Sequence, residues 1–346
     1  MRESHFVRFA AAALAVTGAT SLFSSAVVAQ NGGLSAPAAR TYTAPKTPWG
    51  EPDLQGTFSN RTITPFERPA NVSGREFLTP EEVAVMEKQA AGRGGDDDRN
   101  RGTRGDVERA YNDFWWDRGT KVTTLRTSLV VDPPDGRVPP VTEEARRRQA
   151  DEAKRPVFRG TGASGRATDS WTDRSTFERC ITRGLPGAMS PTAYNNNYRF
   201  TQAPGVVAIE IEMLGGTRII PTDGRPHLSS AIRQWVGNSV GRWDGDTLVI
   251  ETRNFTDKVL YRGAAENLHL VERIRRVGPG EIEYRVTVSD PTTFTRPWTL
   301  VIPYVDIGEQ IFEYACHEGN YGMEGILSGA REDERKAAAA TNASPR

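Results

Sequence analysis

The sequence predicts a mainly β protein: an antiparallel curled sheet or barrel, lipocalin-like in plan, with N-terminal helical decorations. Three observations carry this. From about residue 195 apolar and polar residues alternate. In "GVVAIEIEML", Val207, Ile209, Ile211 and Met213 share one face and Glu210 and Glu212 the other. Comparable runs follow at short intervals ("DTLVIET", "LHLVERIRRV", "EIEYRVTVS", "WTLVIPYV", "QIFEYAC"), for roughly seven to nine strands in all. Turn residues separate them, as in "WDGD" and "VGPGE", and 33 glycines and 22 prolines in 346 residues fit a chain of many turns.

The elements before the barrel follow in order. Arg2 and Arg8 precede the apolar run "FAAAALAVTGATSLF", and Val27 and Ala29 suit a signal-peptidase site. Residues 1–29 therefore read as a signal peptide cleaved before Gln30, and the protein as secreted or periplasmic. The run is shorter than the roughly 20 residues that span a bilayer, so no transmembrane segment is expected in the mature protein. Residues 30–48 read as a Pro/Ala/Thr linker, 49–331 as one β-rich domain with helical additions at 79–155, and 332–346 as a flexible tail. In "LTPEEVAVMEKQAAG", Thr79, Pro80 and Glu82 form a capping-box start and Gly92 a stop. "DVERAYNDFWWDRG" predicts a second helix with Phe114, Trp115 and Trp116 as packing anchors. "TEEARRRQADEAKR" predicts a third, whose Glu143/Arg147, Glu144/Arg148 and Arg148/Glu152 pairs make its basic cluster a solvated face. "RTSLVVDPPDGRVPP" adds a strand.

Several function classes fall away. Formal charge is zero, from 44 basic and 44 acidic residues, which leaves no field to hold nucleic acid. The string "GTGASG" at 160–165 has the letters of a dinucleotide loop but follows a helix rather than a strand. The aspartates of "GRGGDDDRNRGTRGD" lack the alternation of a calcium loop. No Ser-His-Asp, phosphate-loop or haem-attachment signature is present.

Export sets how the two cysteines read. An even count in an oxidising compartment favours a Cys180–Cys316 disulfide over a thiolate nucleophile or metal site. After leader removal three histidines remain, His227, His269 and His317, with Asp223, Arg225, Glu272, Arg273 and Glu318 close by in sequence. Imidazoles and carboxylates together supply general acid–base chemistry or metal ligands. The histidines should therefore open onto one cavity near Glu272 or Glu318, unless each merely satisfies a turn or strand end. Glu272 shares the apolar face of its strand, so burial should raise its pKa, unless a cross-strand arginine pairs with it. Trp235 is the candidate wall of a ligand site, with Trp243 and Trp298 as core anchors. In "YACHEGNYGMEG" the expectation is that Cys316 pins a strand end while His317 projects to the other face, beside Glu318, Asn320 and Tyr321. Gly319, Gly322 and Gly325 would supply tight turns there. No cofactor is called for; a divalent metal on the histidines is the alternative.

The strings "PDLQG", "RTSLVVDPPDGR", "RIIPTDGRPH", "GRWDGDTLVIET", "NLHLVER", "DPTTFTRPW" and "YACHEGNYGMEGIL" together resemble a large group of exported bacterial proteins of unassigned function. That resemblance implies an extracytoplasmic role and supplies no activity. Two readings follow. One is an extracytoplasmic hydrolase or lyase acting on a small organic or carbohydrate-like substrate by His/carboxylate catalysis. The alternative is a non-catalytic, lipocalin-like binding or carrier protein for a small apolar ligand. Either takes a small molecule as its partner.

Overall fold

A computed structural model describes residues 42–92, 117, 119–154 and 168–343. The leader, the predicted helix bearing Phe114, Trp115 and Trp116, the aspartate-rich loop and the "GTGASG" string lie outside these. Ten strands form the sheet: β1 (Gly56–Ser59), β2 (Val130–Asp132), β3 (Asn197–Ala203), β4 (Val206–Ile211), β5 (Gly216–Pro221), β6 (Asn238–Asp244), β7 (Thr247–Arg253), β8 (His269–Gly278), β9 (Glu281–Ser289) and β10 (Trp298–Asp306). They run antiparallel in the order β5-β4-β3-β1-β10-β9-β8-β7-β6, with β2 added on β10. The mainly β, lipocalin-like barrel predicted from the alternation is what forms.

The alternation explains the curvature. Along β8 every second residue from Leu270 to Arg276 points inward and is buried, while His269, Val271, Arg273 and Arg275 point outward. Phe58, Tyr198, Phe200, Tyr284 and Tyr304 are fully buried inside, with ring centroids such as Tyr198–Tyr304 at 4.9 Å and Phe58–Phe200 at 5.7 Å. Edge-on packing of this kind satisfies the ring quadrupoles and fills the interior. The lumen is a packed core.

The sheet path begins at β5 and ends at β6, and side chains bridge that seam. Arg218 of β5 donates to Ser239 of β6 at 3.2 Å and to both oxygens of Glu272 on β8, at 2.9 and 2.7 Å. Thr252 of β7 and Tyr284 of β9 donate to the same carboxylate at 3.0 and 2.8 Å. At Gly241 of β6 a Cβ would lie 2.9 Å from Ile220 of β5, so the absence of a side chain lets the two edges close.

Among the described residues three α-helices lie outside the sheet: α1 (Pro80–Ala91), α2 (Glu143–Glu152) and α3 (Tyr321–Ala343). The Thr79/Glu82 capping box forms as predicted. On α2 the Glu144–Arg148 pair forms at 2.6 Å, whereas Glu143 pairs with Arg146 rather than Arg147. Two expectations change. "QIFEYAC" makes no strand, because the barrel is complete at β10 and residues 307–316 pass outside the ladder. Nor do Gly322 and Gly325 make turns: both lie in α3, where Met323, Ile326, Leu327 and Ala330 are among the less exposed positions, at helical spacing. The helix continues through residues read as tail. Among the described residues no helix is long and apolar enough to cross a membrane.

The buried pair makes a stability prediction. Glu272→Gln leaves Arg218 buried without a counter-charge and should cost about 3–5 kcal/mol in urea unfolding. Replacing both, as Arg218→Met with Glu272→Leu, should cost less than either single change. Burial pushes the Glu272 carboxyl up, but Arg218, Tyr284 and Thr252 outweigh it and hold it below its usual range. This contribution is therefore full above the unfolded pKa of about 4.3 and is lost as pH falls through the lower folded value. The acid limb of the stability curve should flatten in Glu272→Gln; a single-variant loss below about 1 kcal/mol would contradict the clamp.

Candidate functional site: the capped end of the barrel

The strand registers place the starts of β3, β8 and β10 and the ends of β4 and β7 at one end of the barrel. Residues 168–196 cover that end. Leu185, Ala188 and Met189 are buried in the core, and Tyr198 and Tyr304 donate to the Ala188 and Met189 carbonyls at 3.1 and 2.7 Å. Asn60 donates to Met189 O as well, at 3.0 Å. The cap is thus held by hydrogen bonds from rings that belong to the lumen. Gly184, at φ +66°, lies against the loop after β7: a Cβ there would meet Val259 at 2.4 Å.

Between cap and loop lies a cavity of about 480 Å³. Its walls come from Thr172–Phe177, Thr182, Arg183 and Thr192–Tyr194 of the cap, Met213 after β4, and Lys258 and Leu260 after β7. The cap wall is stapled. Cys180 and Cys316 are bonded across 136 residues, as the sequence predicts. Asn320 adds hydrogen bonds to the Glu178 carbonyl at 3.0 Å and to the Cys180 sulfur at 3.3 Å. The "YACHEGN" string therefore serves the cap wall. Arg174 pairs with Glu178 in the same segment.

The predicted site residues do not assemble into one catalytic set. His227 and His269 do meet, through a residue not anticipated, Glu251. His269 Nε2 donates to Glu251 Oε1 at 2.9 Å, and His227 Nε2 lies 3.9 Å from Oε2. Asn238 Oδ1 accepts from the Leu228 N–H at 2.9 Å, so the His227 Nδ1 contact at 3.0 Å is a donation. That leaves His227 Nε2 buried, without a hydrogen-bond partner and facing the carboxylate. The hydrogen bond from His269 outweighs partial burial and holds the Glu251 carboxyl below its usual range. All three lie on the outer wall, since Glu251 and His269 occupy outward positions of β7 and β8.

The others are elsewhere. Glu272 is inside the barrel, and of the two expectations the arginine pair is the one that forms: Arg218 takes both oxygens and the carboxyl lies below its usual range rather than above it. Asp223 is exposed, and hydrogen bonds from Arg225 hold it at about 2. Arg273 pairs with Asp244 on the outer wall at 3.0 Å. Trp235 stands partly exposed in the loop before β6. His317 and Glu318 are exposed in a short 3-10 turn, His317–Gly319, rather than at a strand end, and Tyr321 is 78% exposed. The expectation that the three histidines share one cavity is therefore corrected. Among the described residues no group of three His, Cys, Asp or Glu side chains is arranged to hold a metal.

Sequence reasoning missed Glu251, Arg183 and Lys258. Glu251 was legible as an outward residue of its strand, but its diagonal relation to His269 depends on the β7–β8 register. Arg183 had one signal, its position three residues after Cys180 in a stapled loop.

No protein-family profile and no curated protein sequence matches the chain. Among solved structures it is similar to the crystal structure of a secretary abundant heat soluble (SAHS) protein from Ramazzottius varieornatus. There the identity is 14% over 39% of this chain and 89% of that one, with a TM-score of 0.25. It is also similar to the crystal structure of a mutant of the fluorescent protein UnaG, at 16% identity over 38% of this chain and 86% of that one, with a TM-score of 0.22. The likeness of its strings to exported bacterial proteins thus gains no family assignment.

The staple and the exposed histidine should part company on mutation. Cys180→Ser with Cys316→Ser should cost about 2–5 kcal/mol in chemical unfolding, because so long a closed loop is released. His317→Ala should stay within about 0.5 kcal/mol of the parent. A His317 variant as damaging as loss of the disulfide would refute its placement on an exposed turn.

Proposed function

We propose that the protein is an extracytoplasmic small-molecule binding protein whose ligand occupies the cavity under the cap rather than the barrel lumen. One observation carries this reading: the cavity has a volume suited to a small organic molecule, and its main wall is fixed covalently by Cys180–Cys316. A wall stapled in place is pre-organised, which reduces the ordering cost of binding. The lining mixes hydroxyls (Thr172, Ser175, Thr176, Thr182, Thr192) with the apolar surfaces of Phe177, Met213 and Leu260, as a selective binding site requires. Acid–base catalysis is less favoured, because the candidate groups are divided between the outer wall, the lumen and an exposed turn. The leader pattern and the disulfide support export.

Titrating isotope-labelled protein with a small-molecule fragment library tests the site. Hits should shift signals of residues 172–183, 192–194 and 258–260, and Leu260→Trp, which fills the mouth, should remove them. Intact mass of the same secreted protein should correspond to a chain beginning at Gln30. Signals that shift only at inward strand positions, or a library without hits, would overturn the reading.

A further inference from the structure

The cavity holds a cation that no carboxylate pairs with among the described residues. Arg183 is largely withdrawn from solvent, and its Nη1 is buried with no hydrogen-bond partner. Among the described residues no carboxylate pairs with it; its polar surroundings are the phenols of Tyr194, Tyr198, Tyr261 and Tyr314. Burial lowers the guanidinium pKa and the phenols only partly offset that, as expected for a charge desolvated without an anion. The contrast with other buried arginines of the same chain is sharp. Arg218 has Glu272, Arg174 has Glu178, and Arg276 donates to the carbonyls of Asp53, Gln55 and Pro279 at 2.8, 2.7 and 2.7 Å. Among the described residues these three arginines thus have partners for their charge or their donors, and Arg183 has no carboxylate.

The surroundings of Arg183 describe what the missing partner would be. Lys258 also lines the cavity, and no carboxylate pairs with it among the described residues. Of the four charged residues among the described lining, Arg174, Arg183 and Lys258 are cationic and Asp173 is anionic; Arg174 is already neutralised by Glu178. Asp173 accepts the Ser170 N–H at 2.9 Å at the start of its turn. The uncompensated charge among the described lining residues is therefore positive. Arg183 also sits over the Phe177 ring, with its central carbon 5.8 Å from the ring centroid. Met213 and Leu260 continue the apolar surface.

Resting on the small-molecule reading above, we propose that the ligand is a small monocarboxylic acid with an apolar body. Its carboxylate is held by Arg183, with Lys258 supplying attraction at the mouth, and its body lies against Phe177, Met213 and Leu260. A guanidinium presents paired N–H donors that match the two oxygens of a carboxylate, and a charge-assisted pair inside a cavity is stronger than one in water. A monoanion suits the site better than a phosphate dianion. One guanidinium is desolvated here, and the lining has apolar surface for a body.

The experiment is calorimetric titration of the full mature protein with matched probes: benzoate and octanoate, benzamide and octanamide, and inorganic phosphate. The proposal expects at least one carboxylate to bind and its amide to bind weaker by about tenfold or more, because the amide leaves Arg183 unpaired. Arg183→Gln should remove the preference for acid over amide, Arg183→Lys should restore part of it, and Lys258→Gln should slow association and reduce its salt dependence. Acid and amide binding equally in this cavity would overturn the carboxylate assignment while leaving the small-molecule reading intact. Preferential binding of phosphate would overturn it too. No binding by any probe, together with no fragment hit at the cavity, would overturn both. The comparison of acid with amide is made on the parent protein, so it decides the matter even where an Arg183 variant fails to fold.

Discussion

The closure of this barrel depends on one buried ion pair. A sheet that begins at β5 and ends at β6 has two edges, and edges left open would expose unpaired backbone groups. Here side chains reach across. Arg218, Ser239, Thr252, Glu272 and Tyr284 come from β5, β6, β7, β8 and β9 in turn, and all point inward onto one hydrogen-bonded patch. A buried pair of this type contributes little relative to an apolar replacement, yet losing half of it is costly. Its role is thus to fix which edges meet.

That choice decides where a ligand can go. Once Arg218 and Glu272 meet inside, Tyr198, Tyr284, Tyr304, Phe58 and Phe200 fill the remaining lumen. The hydroxyls of Tyr198 and Tyr304 have to be satisfied at the barrel end, and the carbonyls of Ala188 and Met189 accept them. The cap is anchored by this need. Its outer wall, stapled by Cys180–Cys316, then forms a cavity against the loop after β7. The interior is filled, so the proposed ligand site lies at the rim.

The sequence made the strands legible because alternation is a local signal: β4, β7, β8, β9 and β10 all follow from inward residues at period two. It also made legible the capping of α1 by Thr79 and Glu82, and the disulfide, which followed from compartment and count. Pairings that depend on register were out of reach. Glu272 was correctly seen on the buried face, but the direction of its pKa shift required Arg218, which arrives from another hairpin. Of the three histidines grouped in one cavity only His227 and His269 meet, and Glu251, which joins them, could be placed only by the β7–β8 register. His317 misled because its strand was inferred from "QIFEYAC", whose alternation is indistinguishable from that of β10. The cavity arises in residues 168–196 and 255–262, irregular segments with no periodicity to read.

The most direct test of this account is a crystal structure of the protein soaked in octanoate. It predicts density in the cavity between the cap and Leu260, with the carboxylate on Arg183 and the chain along Phe177 and Met213. Density inside the barrel, among Tyr198, Tyr284 and Tyr304 with the Arg218–Glu272 pair opened, would contradict it.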